Sequence, residues 1–504
     1  LSAREADAPD VDAKSATLLA IRNALTLGGA LILTWSIALG IRVVLPRHLG
    51  PVLFGTLNFA DAFSATCFVV LGLGIDQYVR KEVAVHPEHA SDFYGGVTVA
   101  RLILTVGIFG FIALVMSLTH RPDEVRNVVY LYAATQLMVT ANATLGALLH
   151  AKGRVRGMSA LSVATKIVWA AGVLWAIAVN AGLWAYAAAY LASEAIETVA
   201  LSRLARVHLN LAFRVDHAAT KKMLIASLPY AVTAIATTAY LKLDVSLLEF
   251  SAGSREVGLY GASSAVAGLT LLLTPLIGWV LTPMLARAAA RSQEELFKHV
   301  CRSMELILSV AIPASLLINL GADFLIHVIF GAVYARAAMA LRVQSLMFVL
   351  TYVAIVYGMT LIMREKAWAF AWISLGGLVV NTVLNLVFLQ FSVAWLGEGG
   401  GGTGCAVAML GTEIFVTTWM GASIKGRTFD ARSLGTVAKS LAVCGVVVGA
   451  HVMLASIGPA RLVVDAVLYL VLAILVGALR PREMIEAIRE AVKRRPQEAA
   501  EAPG

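Results

Sequence analysis

Ten ionisable residues of this sequence lie inside otherwise apolar stretches: Asp61, Asp76, Arg101, Lys166, Glu194, Glu197, Lys242, Asp244, Glu305 and Glu413. A charge carried into hydrocarbon costs about 2.5 to 3.5 kcal/mol on insertion scales, so each needs a partner, a watery space or a task. Lys166 lies roughly eight residues inside its stretch, about 12 Å at 1.5 Å per residue, too deep for its ammonium to reach the surface. Asp76, Arg101, Lys242 and Asp244 sit nearer the ends of theirs, where side chains can meet water. Glu194 and Glu197 are three apart and share a helical face, and pairing with Arg101 or Lys166 competes with a transport role. Asp61, Glu194 and Glu413 are candidate sites for coupling to a proton or a sodium ion.

Uncharged polar residues recur at helical spacing. Tyr230, Thr233, Thr237, Tyr240 and Asp244 follow one another at intervals of 3, 4, 3 and 4, and Arg22, Thr26, Gly29, Ser36 and Gly40 trace a comparable line. Asn381 and Asn385 are four apart. Such stripes mark a polar lumen or a packed helix interface. Enzyme chemistry has no such support. GEGGGGTG (397–404) lacks a following Lys-Ser/Thr and is read as a flexible outer connection, not a phosphate loop. The ten histidines show no paired metal spacing and the four cysteines are scattered, so neither a metal nor an organic cofactor is expected.

The elements that must carry these residues are membrane helices. The 504 residues are 59% hydrophobic and 14% charged, with mean hydropathy +0.80, where soluble proteins carry about 25% charged residues. Apolar stretches long enough to span a bilayer recur with short polar breaks. They predict an all-α polytopic membrane protein of about 14 transmembrane helices, arranged as an N-lobe (21–204), a linker (205–223), a C-lobe (224–425) and two further helices (435–480). Residues 1–20 are expected to form a disordered tail, and 481–504 an amphipathic tail on the membrane surface. Of 40 Lys and Arg, 29 fall on one side of this topology, eight on the other and three within spans, which places both termini in the cytoplasm. The net charge of +9 follows from that bias and calls for no nucleic-acid partner. The lobes overlay as a parallel repeat: LHAKGR (149–154) falls opposite LIMREK (361–366), Ser193-Glu194 opposite Thr412-Glu413, and FGTLNFA (54–60) opposite VGLYGAS (257–263).

Six segments also occur in a telling order: RHLGPVLFGTLNFADAF (47–63), GLGIDQYVRKEVA (72–84), VGLYGASSAV (257–266), IFGAVYARAAMALRV (329–343), the Arg364/Lys366 turn with Asn381 and Asn385 beyond it, and GTGCAVAMLGTE (402–413). Through them the chain resembles, over nearly its whole length, the polysaccharide-type flippases of the multidrug/oligosaccharidyl-lipid/polysaccharide exporter superfamily. The resemblance implies a MATE-like, two-lobed transporter of the bacterial inner membrane, not an enzyme. It would carry a polyprenyl-diphosphate-linked oligosaccharide to the periplasmic leaflet, driven by H+ or Na+ or by a polysaccharide polymerase that consumes the product. For a diphosphate cargo, Arg22, Arg42, Arg101, Lys166 and Lys242 would line a cationic path. Tyr230, Thr233, Thr237, Tyr240, Asp244, Asn381 and Asn385 would form its polar lumen. The alternatives are a lipid II-type flippase and an ion-coupled drug/cation antiporter of the same superfamily. Replacing Lys166 by Ala is expected to impair exchange more than replacing Arg121, which is read as lying in an outer loop.

Overall fold

The structure, a computed structural model, describes residues 8–72, 90–151, 155–209 and 216–480. Among these residues all regular structure is helical. The helices are α1 (Ala8–Phe68), α2 (Ala90–Leu118), α3 (Asp123–Ala151), α4 (Val155–Ala178), α5 (Leu183–Leu209), α6 (His217–Ala252), α7 (Ser254–Leu269), α8 (Thr274–Arg291), α9 (Gln293–Leu320), α10 (Ala322–Phe330), α11 (Ala337–Met363), α12 (Ala367–Leu396), α13 (Gly400–Ile424), α14 (Ala431–Met453) and α15 (Arg461–Leu475). The short turn Thr270–Leu273 joins α7 to α8. Helix α1 already begins at Ala8, within the stretch expected to be a tail. The stretches 73–89 and 481–504, with the expected surface tail, lie outside the described residues.

Two arms make up α1, broken at Gly50, whose φ of 70° and ψ of 172° suit glycine and interrupt the helix between Pro46 and Pro51. The same backbone conformation recurs 203 residues later, at Gly253, with φ 86° and ψ 173°. The helices that follow these two glycines cross at backbone contact. A Cβ on Gly55 would lie 1.7 Å from the Ser254 carbonyl oxygen, and one on Gly258 would lie 1.8 Å from that of Pro51. Gly55 and Gly258 are again 203 apart, as are Pro51 and Ser254, so the contact maps onto itself under the repeat. Equivalent segments of the two halves therefore meet about a pseudo-two-fold axis. Neighbour relations repeat as well: α3 packs on α5 as α11 packs on α13, and α1 on α4 as α6 on α12. Helices α14 and α15 attach to the outside of α9, where Glu305 receives Arg432 at 3.1 Å and Arg480 at 3.3 Å.

The exterior is apolar, as a lipid-facing surface requires. On α12, Trp368 and Trp372 are exposed near one end and Phe391 and Trp395 near the other. The 23 steps from Trp372 to Trp395 span about 35 Å, near the thickness of a bilayer core with its interfaces. Among the described residues, ten helical stretches are long and apolar enough to cross a membrane, against the fourteen spans expected of the whole chain. The difference falls where α1 runs through its kink as one stretch, where α3 and α5 carry several charged residues, and where the expected eighth span is divided between α7 and α8.

The glycine run 399–404 is not the flexible connection its composition suggested. Gly399 starts α13 in the left-handed region, and Gly400 to Gly404 are buried within the helix. Their missing side chains admit backbone: a Cβ on Gly400 would meet the Ser392 oxygen at 2.3 Å, and one on Gly404 the Phe388 oxygen at 2.7 Å. Glu256 of α7 accepts the N–H groups of Gly399 at 2.5 Å and Gly402 at 3.2 Å, holding a carboxylate at the positive end of α13.

Candidate functional site

Five helices converge on a polar cluster halfway along their lengths. Measured from the helix ends that share the Gly50 side, Asp61 lies 11 residues beyond Gly50, Gln136 13 from Asp123, Glu194 11 from Leu183, Lys242 10 from Ala252 and Lys166 12 from Ala178. At 1.5 Å per residue these depths are about 15 to 20 Å, the middle of a core about 30 Å thick. Lys242 was expected near a span end. Because α6 continues to Ala252, its ammonium instead lies deep, paired with Asp61 across the two halves at 3.0 Å. Gln136 donates to the other oxygen of Asp61 at 3.3 Å. These side chains are 35% and 38% exposed. Charges that far from either end and that open must face water between the halves, not lipid.

The second part of the cluster lies wholly in the first half. The Lys166 ammonium stands 5.2 Å from the Trp169 ring centre and 5.6 Å from that of Tyr190. It is close enough to Glu194 to act on it electrostatically, as is Glu197. Glu194 accepts from Asn142 at 3.0 Å, and Glu197 from Thr165 at 3.0 Å and Ser162 at 3.2 Å. Tyr132 completes a row of rings, its centre 6.0 Å from Tyr190, which is 6.3 Å from Trp169.

Lys166, Lys242, Asp61 and Glu194 thus belong to one polar cluster, while other expected site residues are placed elsewhere. Arg101 is buried and braces three segments, donating to the carbonyls of Leu71 at 2.7 Å and Thr140 at 3.4 Å and to the Thr144 hydroxyl. Arg42 is exposed on the first arm of α1. The Arg22 side chain and all of Asp76 lie outside what the structure describes. Tyr230, Thr233 and Thr237 are half-buried on α6, and Thr233 returns its hydroxyl to the carbonyl of Pro229 at 2.8 Å. Tyr240 is buried close to Glu413. Asp244 is buried too, receives the Tyr260 hydroxyl, and borders a cavity of about 150 Å³ shared with Ser264 and Gln344. Asn381 and Asn385 are 0% exposed: Asn381 donates to Thr412 at 3.3 Å, and Asn385 to Asn381 at 3.1 Å. They join α12 to α13 and face no open space.

Among the residues of the cluster that escaped the sequence reading of the site are Tyr132, Gln136, Trp169 and Tyr190. Their spacing carries a signal: Lys166 and Trp169 are three apart, Tyr190, Glu194 and Glu197 fall at intervals of four and three, and Tyr132 and Gln136 are four apart. Arg121, placed in an outer loop by the sequence reading, makes tertiary contacts. It binds Glu249 at 2.8 Å, a carboxylate 1% exposed, and lies over the rings of Phe59 and Phe250. With Arg47, which donates to Ile329 O at 2.7 Å, and Tyr334, which donates to Pro46 O at 2.9 Å, it fastens the halves at the Gly50 end.

The fold matches solved transporters. A lipid II flippase MurJ in an inward closed conformation superposes with a TM-score of 0.73 at 12% identity, over 92% of this chain and 100% of that one. An inward-facing multidrug resistance MATE family transporter of the MOP superfamily gives 0.60 at 16% identity, over 78% and 94%. The Vibrio cholerae MATE transporter VcmN gives 0.56 at 14%, over 82% and 99%. No curated protein matches in sequence. The profile of the family described as polysaccharide biosynthesis protein matches residues 20–289, more than half of the chain and the whole polar cluster. The chain therefore belongs to the polysaccharide biosynthesis protein family, with the fold of the MOP-superfamily transporters.

Proposed function

We propose that this chain is a flippase of the bacterial inner membrane that carries a polyprenyl-diphosphate-linked oligosaccharide from the cytoplasmic to the periplasmic leaflet by alternating access, without covalent catalysis. The observation that carries the reading is the part-exposed Asp61–Lys242 pair, which lies mid-helix and joins the two halves. The seam of Gly55 and Gly258 supports it, because it closes the same compartment at one end. The opposite end bears Arg203, Arg206, Lys221, Lys222, Arg287, Arg364, Lys366, Lys425 and Arg427 and is assigned to the cytoplasm. In that orientation the compartment is shut toward the periplasm, and a headgroup enters from the cytoplasmic leaflet while its prenyl chain stays in lipid. Asp61, Glu194 and Glu413 are the carboxylates assigned to H+ or Na+ coupling. Glu413 is the most isolated of them, with Oε2 buried and without a hydrogen-bond partner among the described residues.

The likeness to a lipid II flippase favours, as a second reading, a cargo of that kind. Proteoliposomes holding the purified chain, loaded separately with labelled polyprenyl-diphosphate oligosaccharide, lipid II and a cationic dye, decide between them. Accelerated leaflet exchange of the first is expected. Exchange of lipid II alone would move the assignment to the second reading. Movement of the dye alone, or of none of the three with natively folded protein, would overturn both.

A further inference from the structure

A saccharide offers two chemistries at once: faces of C–H groups that settle on aromatic rings, and hydroxyls that donate to carboxylates and amides. The polar cluster presents both, in layers. Counting from the Gly50-side helix ends, Tyr132 lies nine residues in on α3, Trp169 nine on α4 and Tyr190 seven on α5, about 10 to 14 Å deep. All three residues are half-buried, and neighbouring ring centres are 6.0 and 6.3 Å apart with planes inclined at 64° and 58°, a stepped row of rings longer than one sugar ring. The charged layer of Asp61, Gln136, Lys166, Glu194 and Lys242 lies a few ångströms nearer the basic end. A headgroup entering from that end passes the charged layer and comes to rest on the rings, beneath the sealed glycine seam.

The charged layer is not the cationic lining foreseen for a diphosphate. Its described side chains are three carboxylates, Asp61, Glu194 and Glu197, and two ammoniums. Both ammoniums are engaged, Lys242 by Asp61 and Lys166 by two rings with Glu194 nearby. Arg101 is spent on main-chain carbonyls and the Thr144 hydroxyl. Three carboxylates against two ammoniums, one of which stands over the Trp169 and Tyr190 rings, leave this layer net negative, so an acidic sugar on the rings would meet like charge in excess. A neutral sugar would not, and an amino sugar would gain from both carboxylates and ring faces.

Granted the flippase reading, we infer that Tyr132, Trp169 and Tyr190 form the saccharide subsite of this chain, and that the subsite selects neutral or amino sugars over uronic or other acidic sugars. The test compares polyprenyl diphosphates bearing a neutral disaccharide, an amino-sugar disaccharide and a uronate disaccharide in proteoliposomes. The wild type should exchange the first two at least tenfold faster than the third. Trp169→Leu and Tyr190→Leu should bring that ratio toward one, Trp169→Phe should keep it, and Arg126→Ala, in an exposed pair with Asp123 in the first turn of α3, should leave every rate unchanged. Equal wild-type rates for neutral and uronate cargo, or ratios untouched by the leucine variants, would overturn the subsite. If no carrier moves at all, the flippase reading falls. The subsite is then judged by saturation-transfer NMR of free neutral and uronate trisaccharides on the detergent-solubilised full chain. Contact with the neutral sugar alone, lost in Trp169→Leu, supports it, and equal or absent contact rejects it.

Discussion

Asp61 and Lys242 are coupled by a 3.0 Å ion pair, yet each is more than a third exposed. Water therefore screens the pair, and its coupling belongs at the lower end of measured values, about 0.5 kcal/mol. We predict that Asp61→Asn and Lys242→Met each lower thermal stability in detergent and that the double variant loses less than their sum; strict additivity would show that the pair does not hold the halves together. Asn381 behaves oppositely, because its amide is wholly buried and bound to Thr412. Asn381→Leu should cost about 1 to 3 kcal/mol of stability and leave the sugar preference intact. A stable variant with altered preference would place Asn381 on the cargo path instead. The charged half of the cluster is legible in the sequence because a Lys or Glu deep in an apolar span is anomalous. The pairing of Asp61 with Lys242 is not, since it joins residues 181 apart, and Tyr132, Trp169 and Tyr190 go unnoticed because aromatic rings are ordinary in membrane spans.

At the scale of elements, α14 shows how the accessory pair is attached. Asp430 caps it, accepting from the Ser433 N–H at 2.7 Å, and Ser433 answers by accepting the Asp430 N–H at 2.9 Å. The Ser433 N–H, then its hydroxyl, hold the Asp430 carboxyl below the usual carboxylate range. A depressed carboxyl stabilises the folded form above its ordinary pKa of about 4, and that contribution disappears as pH falls through the lower folded value. Circular dichroism and limited proteolysis of the 425–430 connection should therefore show α14 loosening only in acid. Asp430→Ala should weaken it at neutral pH by about 1 kcal/mol; protection identical to wild type at pH 7 would deny the cap that role. Helix periodicity made most elements readable, but not the glycine run. GEGGGG has the composition of a linker, and only the Ser392 and Phe388 carbonyls beside it reveal a helix stripped of side chains so that α12 can approach.

For the molecule as a whole, the repeat is more than a record of duplication, because Gly55 and Gly258 place its two copies against each other. A side chain at either position would lie inside a main-chain carbonyl. Gly258→Val should therefore force the Gly50 end apart and bias the protein toward its other state. Spin labels at His48 and Ala335, both exposed near that end, should report a longer mean distance in the variant than in the wild type. An unchanged distance in a folded variant would mean that the seam is not the gate. The order of FGTLNFA and VGLYGAS could be read from sequence, whereas their meeting could not, since two equivalent helices can as well stand on opposite sides of an axis.

A joint made from main chain against main chain has no long side chains to stretch as it parts. Its attraction is dispersion, which a gap of an ångström already cuts by up to half, so the seam is brittle: it is either shut or gone. Elastic intermediates would leave a pore leaking ions at every partial opening. A latch that snaps keeps the joint at one of two settings, so the end it closes is never held partly open.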